Sequence, residues 1–156
     1  MGSLGNQKVI DEAKHRFDEF LKDPDTLRAD LRGVVYSIVG MGADRSTYDI
    51  LWDLEKKALL QEEKRRLLGA LARPKDPILI RETLERSLSD DVRSQDAVLV
   101  IVTVAASRFG RDQAWEFIKD NWAELDRRYG KGGFMVMRLV SIAESFATLA
   151  KANEVE

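Results

Sequence analysis

Histidine and cysteine, the residues most often used for metal binding and nucleophilic catalysis, are almost absent from this chain. It has one histidine, His15, and no cysteine. A zinc site of the His-Glu-x-x-His kind needs two histidines one helical turn apart, and a disulfide or a thiol nucleophile needs cysteine. His15 lies between Lys14 and Arg16, off the apolar face of its predicted helix, so we interpret it as a solvent-exposed side chain. The sequence predicts no metal site and no catalytic residue in this chain.

Short motifs that bind phosphate or activate a serine are missing as well. Gly40-Met41-Gly42 has a superficial likeness to a phosphate loop, but it lacks the third glycine of the dinucleotide pattern and follows no predicted strand. Neither Gly-x-x-x-x-Gly-Lys-Ser/Thr nor Gly-x-Ser-x-Gly occurs. We interpret Gly40 and Gly42 as the end of a helix, where glycine accepts the left-handed conformation.

The strongest candidates for a binding role are arginine and amide side chains in predicted loops. Arg93 and Gln95 come just before an apolar helix, and Arg73 lies in the preceding loop. A guanidinium group binds a carboxylate through two hydrogen bonds, which suits the C-terminal end of a peptide. We predict that these residues contact a peptide or another domain. The alternative is that Arg93 pairs with Asp90 or Asp96 and orders its own loop.

Aromatic and acidic residues are predicted to be structural. Trp52, Trp115 and Trp122 could form an aromatic ligand site, but the last two lie on the apolar stripe of one helix, which favours core packing. Paired acids among Asp90, Asp91 and Asp96 could support acid/base chemistry. Asp96 is also in the first turn of a predicted helix, where a negative charge is favoured, and we prefer that interpretation.

Composition and charge indicate a single globular domain. The 156 residues are 44% apolar and 33% charged, with a formal net charge of −2. Proteins that bind nucleic acid more often have a basic excess, so we set nucleic acid aside. No stretch is apolar for the length that a bilayer requires, and the N-terminus does not resemble a secretory signal. The lack of cysteine suits a reducing compartment, and we predict a cytoplasmic location.

Apolar periodicity predicts about eight helices. We expect them at about residues 7–22, 27–39, from 46, 61–72, from 77, 95–107, 112–129 and 135–149. Short connections imply that consecutive helices are antiparallel neighbours. The predicted fold class is therefore all-α, a HEAT/ARM-like α-superhelix of about four antiparallel helix pairs.

Local signals predict where several of these helices begin. Ser46, with Asp49 three residues later, has a capping-box pattern, and Asp76 before Pro77 predicts a capped start. Ser94 is the predicted N-cap of the sixth helix. This helix is the ambiguous element, because its β-branched residues could also form a buried strand. We favour a helix, since every neighbour is helical and a lone strand would leave its backbone groups unpaired.

Four segments, in this order and at this spacing, resemble the C-terminal part of the M1 family of zinc aminopeptidases. The resemblance extends from about residue 13 to 150, is strongest between 90 and 129, and is closest to the puromycin-sensitive branch. The segments are Leu31-Arg32-Gly33-Val34-Val35-Tyr36, Gln61-Glu62-Glu63-Lys64 with the leucines that follow it, Asp91-Val92-Arg93-Ser94-Gln95-Asp96, and Trp115-Glu116-Phe117-Ile118-Lys119-Asp120-Asn121-Trp122. We take Asp96, Trp115, Phe117, Asn121 and Trp122 as the residues of the structural motif.

The resemblance implies both a fold and a role. Members of the family remove single residues from the N-termini of peptides, and their zinc and substrate motifs lie in a separate domain upstream. Their C-terminal domain is a helical, HEAT-like bowl that caps the catalytic domain and limits which peptides enter. The chain is thus expected to need no cofactor itself, to belong to a parent whose catalytic domain holds zinc, and to have that domain and peptide substrates as partners.

The resemblance also implies boundaries. We interpret residues 1–5 as a cloning remnant and residues 6–156 as a single helical C-terminal domain that is truncated at its C-terminal end. Truncation would expose an apolar patch through which the chain could dimerise. The alternative function is a free-standing HEAT-like scaffold for protein interactions. An enzyme with a carboxylate mechanism is a more remote alternative, which would require a deep pocket lined by acids with raised pKa values.

Overall fold

A computed structural model describes the backbone of residues 3–129 and the side chains of residues 7–129. Every regular element in this part of the chain is helical, which confirms the predicted all-α class. None of these helices is long and apolar enough to cross a membrane. The eighth predicted helix, at 135–149, and the glycine-rich break before it lie outside the described residues.

The described part contains eight α-helices and one short 3-10 helix. The 3-10 helix is Pro24–Thr26, between the first two α-helices. The α-helices are α1 Ser3–Lys22, α2 Ala29–Met41, α3 Arg45–Lys57, α4 Gln61–Leu71, α5 Pro77–Ser87, α6 Ser94–Ala106, α7 Arg111–Asp120 and α8 Trp122–Tyr129.

The chain forms two compact units, Met1–Leu79 and Ile80–Glu156. The first contains α1 to α4, and the second contains most of α5 together with α6 to α8. The single domain over residues 6–156 and the superhelical stack of helix pairs stay predictions for the chain as a whole.

The core of the first unit is built around Tyr36 of α2, which is completely buried. The rings of Phe17 and Phe20 on α1 pack edge-on against it, with centroid distances of 6.2 and 5.7 Å. Such edge-to-face pairs add to the free energy gained by burying the rings. The apolar spacing that predicted α1 therefore identifies its buried face correctly, whereas Leu21, placed on the same face, is 39% exposed.

Gly40 has a different role from the predicted one. Helix α2 continues through Gly40 to Met41, and Gly42 ends it with φ −102° and ψ 15°, outside the left-handed region. A Cβ atom on Gly40 would lie 2.3 Å from the carbonyl oxygen of Ala70 on α4. Gly40 is therefore required because the backbones of α2 and α4 approach closely. The prediction that it caps the helix is wrong, whereas Gly42 is the predicted C-cap but does not adopt the left-handed conformation.

Replacing Gly40 by alanine should destabilise the chain, because Ala70 contributes rigid backbone atoms that cannot move aside. We expect G40A to lower the free energy of unfolding by about 1–3 kcal/mol. Gly69 in α4 is the matched control, since an added Cβ there meets nothing within 4 Å. G69A should be neutral or more stable by up to about 1 kcal/mol, since alanine favours helix. Urea unfolding of both variants checks this; equal effects would contradict the close approach.

A largely buried carboxylate also joins α2 to α4. Glu63 on α4 accepts hydrogen bonds from the Arg32 guanidinium at 3.1 Å and from the Tyr36 hydroxyl at 3.0 Å. Arg32 also donates to the carbonyl oxygens of Leu27 at 3.2 Å and Pro24 at 3.1 Å. Burial and the Glu63 carboxylate raise the pKa of Tyr36, so this phenol keeps its proton. The network fixes the connection between α1 and α2.

Helix α6 forms the core of the second unit, which confirms the preference for a helix over a strand at this position. Five of its side chains are at most 1% exposed: Ala97, Val98, Val100, Ile101 and Val104. The apolar run therefore reflects burial on most sides of a helix, and no alternation of the strand type is needed to explain it.

The predicted seventh helix is two helices, and the break is at Asn121. Its side-chain amide donates to the carbonyl oxygen of Phe117 at 2.9 Å, and its backbone has φ −111° and ψ 17°. Side-chain bonding of this kind competes with the helix ladder. Because α8 begins after this break, Trp122 lies at its N-terminal end and is 40% exposed. The prediction that Trp122 packs in the core is therefore wrong, while Trp115 is half-buried.

Three predicted helix starts have different outcomes. Asp76 accepts from the backbone N–H of Ile78 at 2.9 Å, as expected. Asp44, not Ser46, caps α3, accepting from the N–H of Thr47 at 2.9 Å. This hydrogen bond lowers the pKa of Asp44. Ser94 is the first residue of α6 and not its N-cap. Sequence patterns thus located these starts to within one or two residues.

Candidate functional site

The loop between α5 and α6 carries Arg93, and local hydrogen bonds fold it tightly. The Ser89 hydroxyl donates to the carbonyl oxygen of Arg86 at 2.7 Å and accepts from the N–H of Asp91 at 3.1 Å. Val92 is 4% exposed and anchors the loop in the apolar core of the second unit. Side chains on either side of Val92 are therefore presented from a fixed backbone.

Arg93 is the N-cap residue of α6 and pairs with Asp96 in the first turn. Its Nε lies 3.3 Å from the Asp96 carboxylate, and the side chain is 45% exposed while that of Asp96 is 4% exposed. The carboxylate also lies at the positive end of the helix dipole. Of the two acidic partners considered for Arg93, the structure thus places Asp96 beside it. The exposed part of the guanidinium faces solvent at the rim of the loop.

Two consecutive residues of α8 hold the two ends of this loop. The Arg128 guanidinium donates to the carbonyl oxygen of Leu88 at 2.9 Å, and the Tyr129 hydroxyl donates to that of Ser94 at 2.5 Å. The partners are 40 and 35 residues apart in the chain. Sequence reasoning missed both contacts; the one local signal was the helical spacing between Glu124 and Arg128. We call Arg128 and Tyr129 the loop clamp.

Removing the Arg128 side of the loop clamp should loosen the loop without unfolding the chain. In R128M, backbone amides of residues 89–93 should exchange with solvent about ten-fold faster, as expected when a charged hydrogen bond of about 1.5 kcal/mol is lost. R127M is the matched control, because Arg127 also pairs with Glu124 but is not bonded to Leu88. Hydrogen exchange by mass spectrometry measures both; equal acceleration in R127M would contradict the clamp.

Glu124 orients the clamp arginine, and its own pKa reports the pairing. Hydrogen bonds from Arg127 and Arg128 lower the pKa of Glu124 from 4.5 to about 2. A carboxyl group with a lowered pKa stabilises the fold above its unfolded pKa, and the effect disappears as the pH falls through the folded pKa.

The stability difference between the natural chain and E124Q should therefore depend on pH. We expect the natural chain to have the higher Tm above about pH 5, and the difference to shrink between about pH 4.5 and pH 2. Thermal unfolding at low salt over this range measures it. A difference that stays constant down to pH 2 would mean that glutamine disturbs packing instead of charge pairing.

The other predicted site residues are described within their own units. Gln95 is exposed on the first turn of α6, near Arg93 in sequence, and Arg73 is exposed in the first unit. Trp115 lies under the Lys119 ammonium, which is 5.6 Å from its ring centroid. Their roles in peptide or interdomain contact stay predictions.

A zinc site does not fit the described residues. His15 has a side chain that is 67% exposed, and its Nε2 lies 3.6 Å from the Glu19 carboxylate, one helical turn away. Among residues 3–129, no group of three or more histidine, aspartate or glutamate side chains could hold a metal ion. A single imidazole beside one carboxylate does not supply the three or four ligands that zinc takes in proteins.

A groove of about 610 Å³ runs between α5 and α7 in the second unit. We call it the α5–α7 groove, and its lining includes Phe117 and Asn121 from the predicted motif. Both are partly exposed, so these two motif residues contribute to a surface as well as to packing. The groove is lined by Arg81, Leu84, Glu85, Leu88, Asp112, Gln113, Glu116, Phe117, Asp120 and Asn121.

A second groove, of about 400 Å³, lies between α1 and α2 in the first unit. Its apolar side chains include Val9, 55% exposed, and Val34, 60% exposed. The patch predicted from truncation was expected where helices following the C-terminal end would pack, so this groove between α1 and α2 is a different surface, and truncation and dimerisation stay predictions.

The part of the chain that the structure describes is all-helical, and it carries a clamped, arginine-bearing loop and open grooves in both units. Sequence comparison identifies which domain this is. The sequence model of the ERAP1-like C-terminal domain family matches residues 1–156, and the chain belongs to this family.

Relatives of known name agree with this assignment. The chain is 36% identical to Aminopeptidase M1 of Arabidopsis thaliana over 98% of its own length and 18% of the relative. It is 31% identical to the human thyrotropin-releasing hormone-degrading ectoenzyme, over 92% of the chain and 14% of the relative. It is 29% identical to Aminopeptidase N of Bos taurus, over 99% of the chain and 16% of the relative. The chain thus spans less than a fifth of these relatives. The predicted M1 aminopeptidase family is confirmed, and the puromycin-sensitive branch stays a prediction.

Proposed function

We propose that this chain works as the non-catalytic C-terminal domain of an M1 zinc aminopeptidase, capping the catalytic domain and shaping the cavity through which peptides enter. The observation that carries the proposal is the match of all 156 residues to the ERAP1-like C-terminal domain. In this proposal the zinc and the peptide-bond chemistry belong to the catalytic domain of the parent. The chain contributes steric limits and charged side chains.

The clamped loop supports a contact role for Arg93. A guanidinium whose Nε is held by Asp96 is oriented before a ligand arrives, so less side-chain entropy is lost on binding. We propose that Arg93, with Gln95 beside it and Arg73 in the first unit, contacts a peptide carboxylate or the catalytic domain. The Asp96 pair serves both interpretations of Arg93, because it orders the loop and also aims the guanidinium.

A chimeric enzyme tests the proposal. The matching segment of the Arabidopsis relative would be replaced by this chain, and a second version would lack the segment altogether. If the domain shapes peptide access, the chimera should cleave a single-residue aminoacyl substrate and a ten-residue peptide with a kcat/KM ratio close to that of the relative. The deletion should lose this discrimination, because its cavity is open. A chimera indistinguishable from a soluble, folded deletion variant would contradict the proposal.

The isolated chain provides a second test. With zinc added, it should not turn over an aminoacyl fluorogenic substrate, and robust zinc-dependent turnover by the pure chain would contradict the non-catalytic role. The second candidate function, a free-standing HEAT-like scaffold, is favoured by the exposed apolar groove between α1 and α2. The cytoplasmic location stays a prediction, because one relative is named an ectoenzyme.

A further inference from the structure

We propose that the α5–α7 groove binds an extended, basic segment of a peptide substrate, with lysine or arginine at alternate positions. The proposal rests on the proposed function for the source of the peptide.

The groove has the composition of a peptide site, with an apolar floor and charged edges. Leu88 and Phe117 are partly exposed at its floor and offer apolar contact to a backbone and to aliphatic side-chain stems. Recognition sites typically combine such apolar surface with a few placed polar groups. The volume of about 610 Å³ is sufficient for a short peptide segment rather than a single side chain.

The negative charge of the groove favours a basic ligand. Four carboxylates line the groove (Glu85, Asp112, Glu116 and Asp120) against one guanidinium, Arg81. This excess of three negative charges is larger than the net charge of −2 of the whole chain. Arg81 and Lys119 pair with Glu85 at 3.2 Å and Glu116 at 2.9 Å. Among the described residues, no ion pair joins Asp112 or Asp120 to a cation, so the strongest attraction for a basic ligand is along α7.

The spacing of the carboxylates along α7 favours a ligand in an extended conformation. Asp112, Glu116 and Asp120 follow one another at every fourth residue along α7, which places them about 6 Å apart along the helix axis. In an extended peptide, side chains on one face repeat every two residues, or about 6.8 Å. Lysines at alternate positions therefore match the spacing of three successive carboxylates over about 12–14 Å, with Asp112 and Asp120 the two that have no cation of their own among the described residues and Glu116 shared with Lys119. At least one of three consecutive lysines would point away from α7.

Fluorescence anisotropy with short labelled peptides at low salt tests the proposal. One peptide alternates alanine with three lysines, a second has the same composition with the lysines consecutive, and a third replaces lysine by glutamate. We expect the alternating peptide to bind several-fold more tightly than the consecutive one and the glutamate peptide not to bind. Equal affinity of the two lysine peptides would overturn the match of spacing.

A pair of double variants locates the site. D112N/D120N should weaken binding of the alternating peptide by roughly 3- to 10-fold, as expected when two exposed charge pairs are lost. D90N/D126N removes the same charge from two exposed residues of the second unit outside the groove and should change the affinity by less than about two-fold. Equal weakening by both variants would mean attraction to the overall charge and would overturn the proposal.

These measurements are independent of the chimera. Peptide binding is measured on this chain without a catalytic domain. If no peptide binds the groove, the proposed capping function is therefore unaffected. A failed chimera with intact groove binding would instead reject the aminopeptidase role and leave a basic-peptide module.

Discussion

A carboxylate that orients an arginine, which in turn binds loop carbonyl oxygens, is the interaction on which both units depend. In the first unit Glu63 holds Arg32, and Arg32 donates to the carbonyls of Leu27 and Pro24 ahead of α2. In the second, Glu124 holds Arg128, which donates to the carbonyl of Leu88 ahead of α6. Backbone carbonyls in a connection have no helix partner, and a partly buried arginine satisfies them with strong, charge-assisted hydrogen bonds.

These arginine hydrogen bonds explain how the loops between short helices are held in one conformation. Removing a guanidinium from water is costly, and the cost is offset only when several of its donors are bonded. Arg32 meets this requirement with one carboxylate and two carbonyls, and stacks over the ring of Phe20 with 5.0 Å between the guanidinium carbon and the centroid. The carboxylate is thus a structural group, and its acid chemistry is not needed to explain why it is buried.

Sequence alone predicted what depends on neighbours within about one helical turn. The cap at Asp76 follows from a single side chain. The β-branched residues of α6 left helix and strand open, and the choice of a helix came from the helices predicted on either side. Asp44 was missed because Ser46 has an equally good local pattern. Which of the two residues becomes the N-cap depends on where the chain enters α3. The break at Asn121 was missed because the apolar stripe continues across it in sequence. Gly40 was misread since the residue it must accommodate, Ala70, is thirty positions away.

The candidate site likewise combines a local contact that the sequence could suggest with a distant contact that it could not. Arg93 and Asp96 are three residues apart, so their pairing could be considered in advance, whereas the clamp from α8 depends on a contact 40 residues distant. Net charge was our reason to set nucleic acid aside, yet it concealed the charge of the α5–α7 groove. The reason is physical: an attraction between exposed charges is screened within about 8–10 Å in physiological salt. A ligand in the groove therefore responds to the carboxylates along α7 and not to the basic residues that balance them elsewhere in the chain.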